Sequence, residues 1–259
     1  MTDKRVCDSP IGVLDSGMGG ISTLKTLVAE LPHENFIYYG DDKNAPYGLK
    51  TVGEVRMLAE NAVMFLLERG AKAIVIACNT ATGAAATYLR EKYADIPIIG
   101  AEPAIKPAVS YRHRSRILVM ATPLKLSTER FRRLADSVKG DCDIISLPCP
   151  GLVELVEAGK TEGDEVDKTL HGLLDRYVGR IDSIVLGCTH YPFLSKAISA
   201  IVGENVPLFD GNRGIAAETH RRLEAGHILS GRRENGSVLF ETSAGDADTP
   251  RIARTLLGT

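Results

Sequence analysis

Residues 73–83 read AIVIACNTATG and residues 183–193 read SIVLGCTHYPF. In each, a short run rich in Val and Ile ends at a cysteine followed by small polar residues. A continuous apolar run of this length, bounded by turn formers, is the mark of a strand buried on both faces, as in a parallel sheet covered by helices. The two cysteines, Cys78 and Cys188, stand 110 residues apart. A second pair repeats at nearly that distance: IGVLDSG (11–17) aligns loosely with ILVMATP (117–123), 106 residues on, and Thr122 is expected as the polar counterpart of Asp15, at an offset of 107. Two pairs at similar offsets indicate a duplication, giving two like α/β halves, each with a thiol at a strand end.

Outward from these segments, strand-like and helix-like patterns alternate. Ile21, Leu24, Leu27, Val28 and Leu31 recur at helical spacing until Pro32 stops them; FIYY (36–39) reads as a strand and GDDKNAPYG (40–48) as a loop. Thr51 can cap a helix whose core face is Val55, Leu58, Ala62 and Phe65, with Gly70 past its end. Further strands are expected at PIIGA (97–101), RILVMA (116–121), DIISL (143–147), SIVLG (183–187), VPLF (206–209) and SVLFE (237–241). The fold class is α/β with mainly parallel sheets flanked by helices. In such sheets ligands bind beyond the carboxyl ends of the strands.

Composition narrows the function. The 259 residues carry 31 Lys plus Arg against 33 Asp plus Glu, a formal net charge of −2, which leaves no electrostatic footprint for general nucleic-acid binding. The local run Arg112, His113, Arg114, Arg116 reads as a solvated turn. No stretch approaches the roughly 20 apolar residues a membrane helix needs, and the polar N-terminus holds no signal h-region, so a cytoplasmic protein is expected. Five cysteines (7, 78, 142, 149, 188) form no CxxC pair and leave an odd thiol, which argues for reduced cysteines over a disulfide framework.

Cys78 precedes Asn79-Thr80 and Cys188 precedes Thr189-His190, residues that can begin a helix. Backbone N–H groups and the positive end of a helix dipole would then face each sulfur and favour thiolate. The alternative is that both are small buried hydrophobes. Cys78 with Cys188-x-His190 could supply three metal ligands, but the paired spacing of zinc sites is missing and no metal is expected. His190 is better read as a polar partner of Cys188. Asp15-Ser16-Gly17-Met18-Gly19-Gly20 places a carboxylate and a hydroxyl at a strand end. The dinucleotide fingerprint fails because position 22 is Ser, and no Walker lysine is present. Asp15 is either a helix cap or an acceptor for a substrate ammonium group; Asn44–Gly48 and the Asn-Thr and Thr-His dipeptides offer donors to carboxylates.

These segments resemble the glutamate racemase family, cofactor-independent amino-acid racemases that supply D-glutamate for peptidoglycan. The matching stretches are IGVLDSGMGG, YYGDDKNAPYG, IVIACNTATG, GAEP (100–103), LPCPGLVELVEAG and VLGCTHYPFL. The chain departs from the family's pattern at Phe209-Asp210-Gly211-Asn212 and at ATPLKLST (121–128). The resemblance implies two pseudo-symmetric lobes, 1–98 plus 210–259 and 99–209, with the active site in the cleft between them. It implies Cys78 and Cys188 as the two catalytic bases, Cys78 taking the proton from D-glutamate and Cys188 from L-glutamate. Asp15, Ser16, Pro46, Tyr47, Gly48, Asn79, Thr80, Thr189 and His190 would bind substrate, with Glu157 supporting. It further implies an isomerase without cofactor or metal, acting on L- and D-glutamate as a homodimer, with no nucleic-acid or membrane partner. Competing readings are aspartate or a hydantoin as substrate, or a two-lobed binding protein with inert thiols.

Overall fold

The computed structural model describes residues 4–245 and 256–257. The strands among them are, in chain order, β1 (Ile11–Asp15), β2 (Phe36–Gly40), β3 (Ala73–Ile76), β4 (Ile98–Gly100), β5 (Arg116–Ala121), β6 (Asp143–Pro148), β7 (Ser183–Leu186), β8 (Leu208–Phe209) and β9 (Val238–Thr242). The chain divides into two units, Met1–Ala101 with Asn212–Thr259, and Glu102–Gly211. A boundary at 98/99 would cut β4. That strand stays whole with the first unit because it pairs with β3 from Ile74↔Ile98 to Ile76↔Gly100, and Ala101 N–H then donates to Ile76 O. At the second crossing Asn212 belongs with the first unit, its Oδ1 accepting from Thr23 Oγ1 at 2.7 Å.

In the first unit the sheet order is β4-β3-β1-β2-β9, every pairing parallel. All five residues of β1 are buried, as a central strand covered on both faces requires. The helix Ile21–Glu30 turns Ile21, Leu24 and Leu27 inward and packs on the helix Asn212–Ala225. The helix Val52–Glu68 opens with a complete capping box between Thr51 and Glu54, and Gly70 takes a left-handed φ of 80° just past its end. Its buried face is Val55, Ala59, Ala62, Val63 and Leu66, so the expected Leu58 and Phe65 are rotated to its margin. Phe65 there stacks with Tyr39 at 4.5 Å and carries the Arg69 guanidinium over its ring.

The second unit repeats the plan. Its order β6-β5-β7-β8 is the order β2-β1-β3-β4 of the first, again all parallel. The registers Ile11↔Ala73 and Ile117↔Ser183 correspond, so the offsets of 106 and 110 residues hold residue by residue. By that register the counterpart of Asp15 is Ala121, one residue before the expected Thr122. Along β5, Leu118 and Met120 join one apolar cluster while Ile117 and Val119 join another, the alternation of a strand with helices on both faces.

Away from the strand C-termini the first unit is tied by a buried ion pair that nothing in the sequence signalled. Lys72 Nζ lies 2.6 Å from Glu34 Oε2 and also donates to Cys7 O and Ile228 O, while Glu34 Oε1 accepts from Ser230 N. The basic run of the second unit is met by acids: Arg112 pairs with Asp182, Arg114 with Asp141 and Arg116 with Asp143. Among the described residues no helix is long and apolar enough to cross a membrane.

Candidate active site

In the first unit the residues singled out from sequence gather at the C-terminal ends of β1, β2 and β3. Asp15 ends β1 fully buried, and its Oδ2 accepts from Gly17 N at 3.2 Å. The Tyr38 hydroxyl, from β2, donates to Gly17 O at 2.6 Å and so fixes the turn from the other side. The following helix is capped by Gly20 with no side-chain bond, so Asp15 is not its cap. Gly20 serves close approach instead: a Cβ there would stand 2.6 Å from Asp15 Cβ and 3.0 Å from the Tyr38 hydroxyl.

Two residues beyond β3, Cys78 is the N-cap of the helix Asn79–Lys92, and Ala81 N–H donates to its sulfur at 3.4 Å. The Cys78 thiol in turn reaches Ser16 Oγ at 3.7 Å. A helix N-terminus aimed at sulfur favours negative charge on it. Asn79 and Thr80 occupy the first turn of that helix, both buried. Asn79 Oδ1 is buried with no hydrogen-bond partner among the described residues, a cost that a donor on a bound ligand would relieve.

The loop after β2 carries Pro46 and Gly48, both half-buried, around a buried Tyr47. The Tyr47 hydroxyl donates to Asp41 Oδ2 at 2.6 Å. Burial, the bond to Asp41 and the nearby Cys78 and Asp15 all push the phenol well above its ordinary pKa, so it remains a neutral donor. Asp41 was not singled out from sequence, where it reads as one more loop former.

In the second unit Cys188 also lies two residues beyond its strand, buried, with Thr189 and His190 buried after it. The expected helix start is absent. His190 caps only the 3-10 turn Tyr191–Leu194, and an α-helix begins at Ser195. The sulfur instead faces a side chain, His190 Nδ1 at 3.6 Å, and His190 Nε2 lies 2.5 Å from Oε1 of Glu157, the last residue of the helix Leu152–Glu157. Burial opposes charge on this ring, but its bonds to Cys188 and Glu157 outweigh burial and hold its pKa well above 6.5.

The remaining thiols are quieter. Cys149 is pushed up to about 12 by burial and by Cys188, and it donates to Leu147 O. Cys142 is buried beside Ser115, whose hydroxyl it accepts at 3.4 Å. In the divergent stretch 121–128, Thr122 caps the short helix Pro123–Ser127 and Lys125 is buried, a placement no periodicity foretold. Among the described residues no group of three His, Cys, Asp or Glu is arranged to hold a metal ion.

Residues 11–219 match the family model for Asp/Glu/Hydantoin racemases. The chain is 49% identical to a glutamate racemase of Clostridium perfringens over 96% of each chain, and 49% identical to that of Clostridium acetobutylicum over 97% of this chain and 98% of the relative. Among solved structures it is similar to glutamate racemase from Francisella tularensis in complex with D-glutamate, with a TM-score of 0.85 and 29% identity over 98% and 95% of the two chains. It is also similar to the Thermus thermophilus enzyme in complex with β-chloro-D-alanine, with a TM-score of 0.78 and 34% identity over 98% and 94%. The chain therefore belongs to the Asp/Glu/Hydantoin racemase family and, with the glutamate racemases it resembles throughout its length, is an isomerase.

Proposed function

We propose that the protein interconverts L- and D-glutamate by moving the α-proton between two thiols, Cys78 and Cys188. The observation that carries this reading is their equivalence. Each is buried two residues beyond the corresponding strand of a like-ordered parallel sheet, and each has a partner suited to a charged sulfur. Two inert core cysteines need no such partners. The D-glutamate held by the Francisella relative supports the choice of substrate.

One thiolate removes the α-hydrogen and the other thiol donates to the opposite face, inverting the centre; the roles exchange in reverse. On this reading Cys78 works on D-glutamate and Cys188 on L-glutamate. Proton transfer by a placed base contributes about 10²–10⁴-fold, so donors aimed at the α-carboxylate must stabilise the enolate-like charge of the transition state. Asn79, Thr80 and Thr189 take that task, while Asp15 and Ser16 receive the ammonium group and Pro46, Tyr47 and Gly48 bound the pocket. His190, kept charged by Glu157, serves the Cys188 sulfur. No step calls for a metal or an organic cofactor. We further place the protein in the cytoplasm as a homodimer supplying D-glutamate for peptidoglycan, an inference supported by the family resemblance.

The test is incubation with L-glutamate, D-glutamate or L-aspartate in deuterated water. Glutamate should gain α-deuterium and lose optical activity, with aspartate unchanged. Inversion of aspartate in preference to glutamate would give the site a different substrate; no exchange with any of them would make it a binding site with inert thiols.

A further inference from the structure

The loop that carries Pro46, Tyr47 and Gly48 is held from two sides by residues outside the proposed substrate-binding set. From within, Asp41 is almost fully buried. Its Oδ2 accepts from the Tyr47 hydroxyl at 2.6 Å, its Oδ1 from Asn44 Nδ2 at 2.9 Å, and its own N–H donates to Asp15 O at 3.0 Å. From outside, the C-terminal end of β9 closes on the same loop. Thr242 Oγ1 bonds Asp42 Oδ2, Lys43 N–H donates to Ser243 Oγ at 3.0 Å, and Ser243 N–H donates to Gly40 O at 3.0 Å.

The loop's own structure is two 3-10 turns of three residues, Asp42–Asn44 and Tyr47–Leu49, too short to order themselves. Their conformation must come from what grips them. The second turn packs on the helix that Cys78 caps, so a shift of the loop moves a wall of that thiol's surroundings. The grip from β9 depends on register: β9 pairs with β2 so that Thr242 stands opposite Gly40, which brings its hydroxyl to Asp42. A one-residue slip of β9 would turn Thr242 to the other face of the sheet and release the loop.

We propose that Asp41, Thr242 and Ser243 are positioning residues, a latch through which the last strand of the sheet sets the geometry of the substrate loop. Asp41 acts through Tyr47 and Asn44; Thr242 and Ser243 act through Asp42 and Lys43. None of the three touches substrate. The latch rests on the reading of residues 46–48 as part of the glutamate pocket. The persistently protonated Tyr47 fits a clamp and not an acid or base. A loop that binds ground state and transition state alike changes KM when loosened and leaves kcat nearly intact.

The test compares the full-length protein with Asp41→Asn, Asp41→Ala, Thr242→Val, Thr242→Ser and the pair Thr242→Val/Ser243→Ala. KM and kcat are measured for both glutamate enantiomers, alongside amide hydrogen exchange over residues 41–49. Asp41→Ala and the β9 pair should raise KM for both enantiomers about tenfold, with kcat within about threefold and faster exchange in that segment. Thr242→Ser keeps the hydroxyl and should restore the wild-type KM; Asp41→Asn, which keeps one acceptor for Tyr47, should fall between. Unchanged exchange in 41–49 would overturn the latch itself. Faster exchange with KM unchanged would reduce it to a structural tie and equally overturn the proposal. Failure of the wild type to invert glutamate would instead remove the substrate reading, while exchange in the variants would still decide whether β9 holds the loop.

Discussion

Nε2 of His190 lies 2.5 Å from Oε1 of Glu157, while the other ring nitrogen faces the Cys188 sulfur at 3.6 Å. The ring thus sits between two groups that each favour its charged form. Its pKa in the folded protein lies well above 6.5 although burial alone would lower it. A raised pKa contributes stability that is complete below the unfolded value and lost as pH rises through the folded one. Glu157→Gln should therefore lower the urea midpoint most near about pH 6, the deficit shrinking as pH climbs through the alkaline range. Denaturation curves of both proteins across pH check this, and a deficit independent of pH would mean the ring is neutral in the native state.

Removal of one member of the Lys72–Glu34 pair should be severe, because the survivor is left charged and buried. Lys72→Met is expected to cost about 3–5 kcal/mol. Adding Glu34→Leu should recover part of that loss, but not all, since the Cys7 and Ile228 carbonyls and the Ser230 N–H lose their partners as well. Chemical denaturation of the two singles and the double measures the coupling; strictly additive losses would argue against a paired charge.

On the proposed mechanism the two thiols should be separable by enantiomer. With a substrate bearing a β-leaving group, abstraction leads to elimination and needs no second proton donor. Cys78→Ser should then eliminate only from the L-enantiomer and Cys188→Ser only from the D-enantiomer, while neither racemises glutamate. Elimination by both variants from the same enantiomer would refute one thiol per face.

Glycines at Gly20 and Gly172 should respond with opposite sign. At Gly20 an added methyl meets Asp15 and Tyr38 at 3.0 Å or less, so Gly20→Ala should destabilise by about 1–3 kcal/mol and weaken substrate binding through Asp15. Gly172 lies on the exposed face of the helix Asp164–Leu174 with open space around it, and Gly172→Ala should stabilise by roughly 0.5–1 kcal/mol. Thermal unfolding of both variants, with KM for the first, decides the matter.

What the sequence determined by itself is local. Runs such as AIVIA and SIVLG become buried parallel strands because β-branched residues fit a sheet covered on both faces, and the repeat between them foretells two sheets of one strand order. Thr51 as a helix cap, Gly70, and Cys78 at a helix start were legible for the same reason, since capping needs only neighbours within a turn. Tertiary structure decided everything that depends on distant partners. Helical periodicity could not tell that the helix Val52–Glu68 turns Ala59 and Leu66 inward and leaves Phe65 to Tyr39 and Arg69. Nor could Thr189-His190 reveal that Cys188 has no α-helix at its back; His190 reads from the sequence as a polar partner of that thiol, but the bond that ties its ring to a carboxylate 33 residues earlier is made by the fold. Asp41 looks like any loop acid until Tyr47 closes on it, and Glu34 like any surface charge until Lys72 and the chain near residue 230 bury it. The physical reason is common to all of these. A charged or polar side chain is buried only where the fold supplies its complement, and that complement comes from strand order and register, which no short stretch of sequence contains.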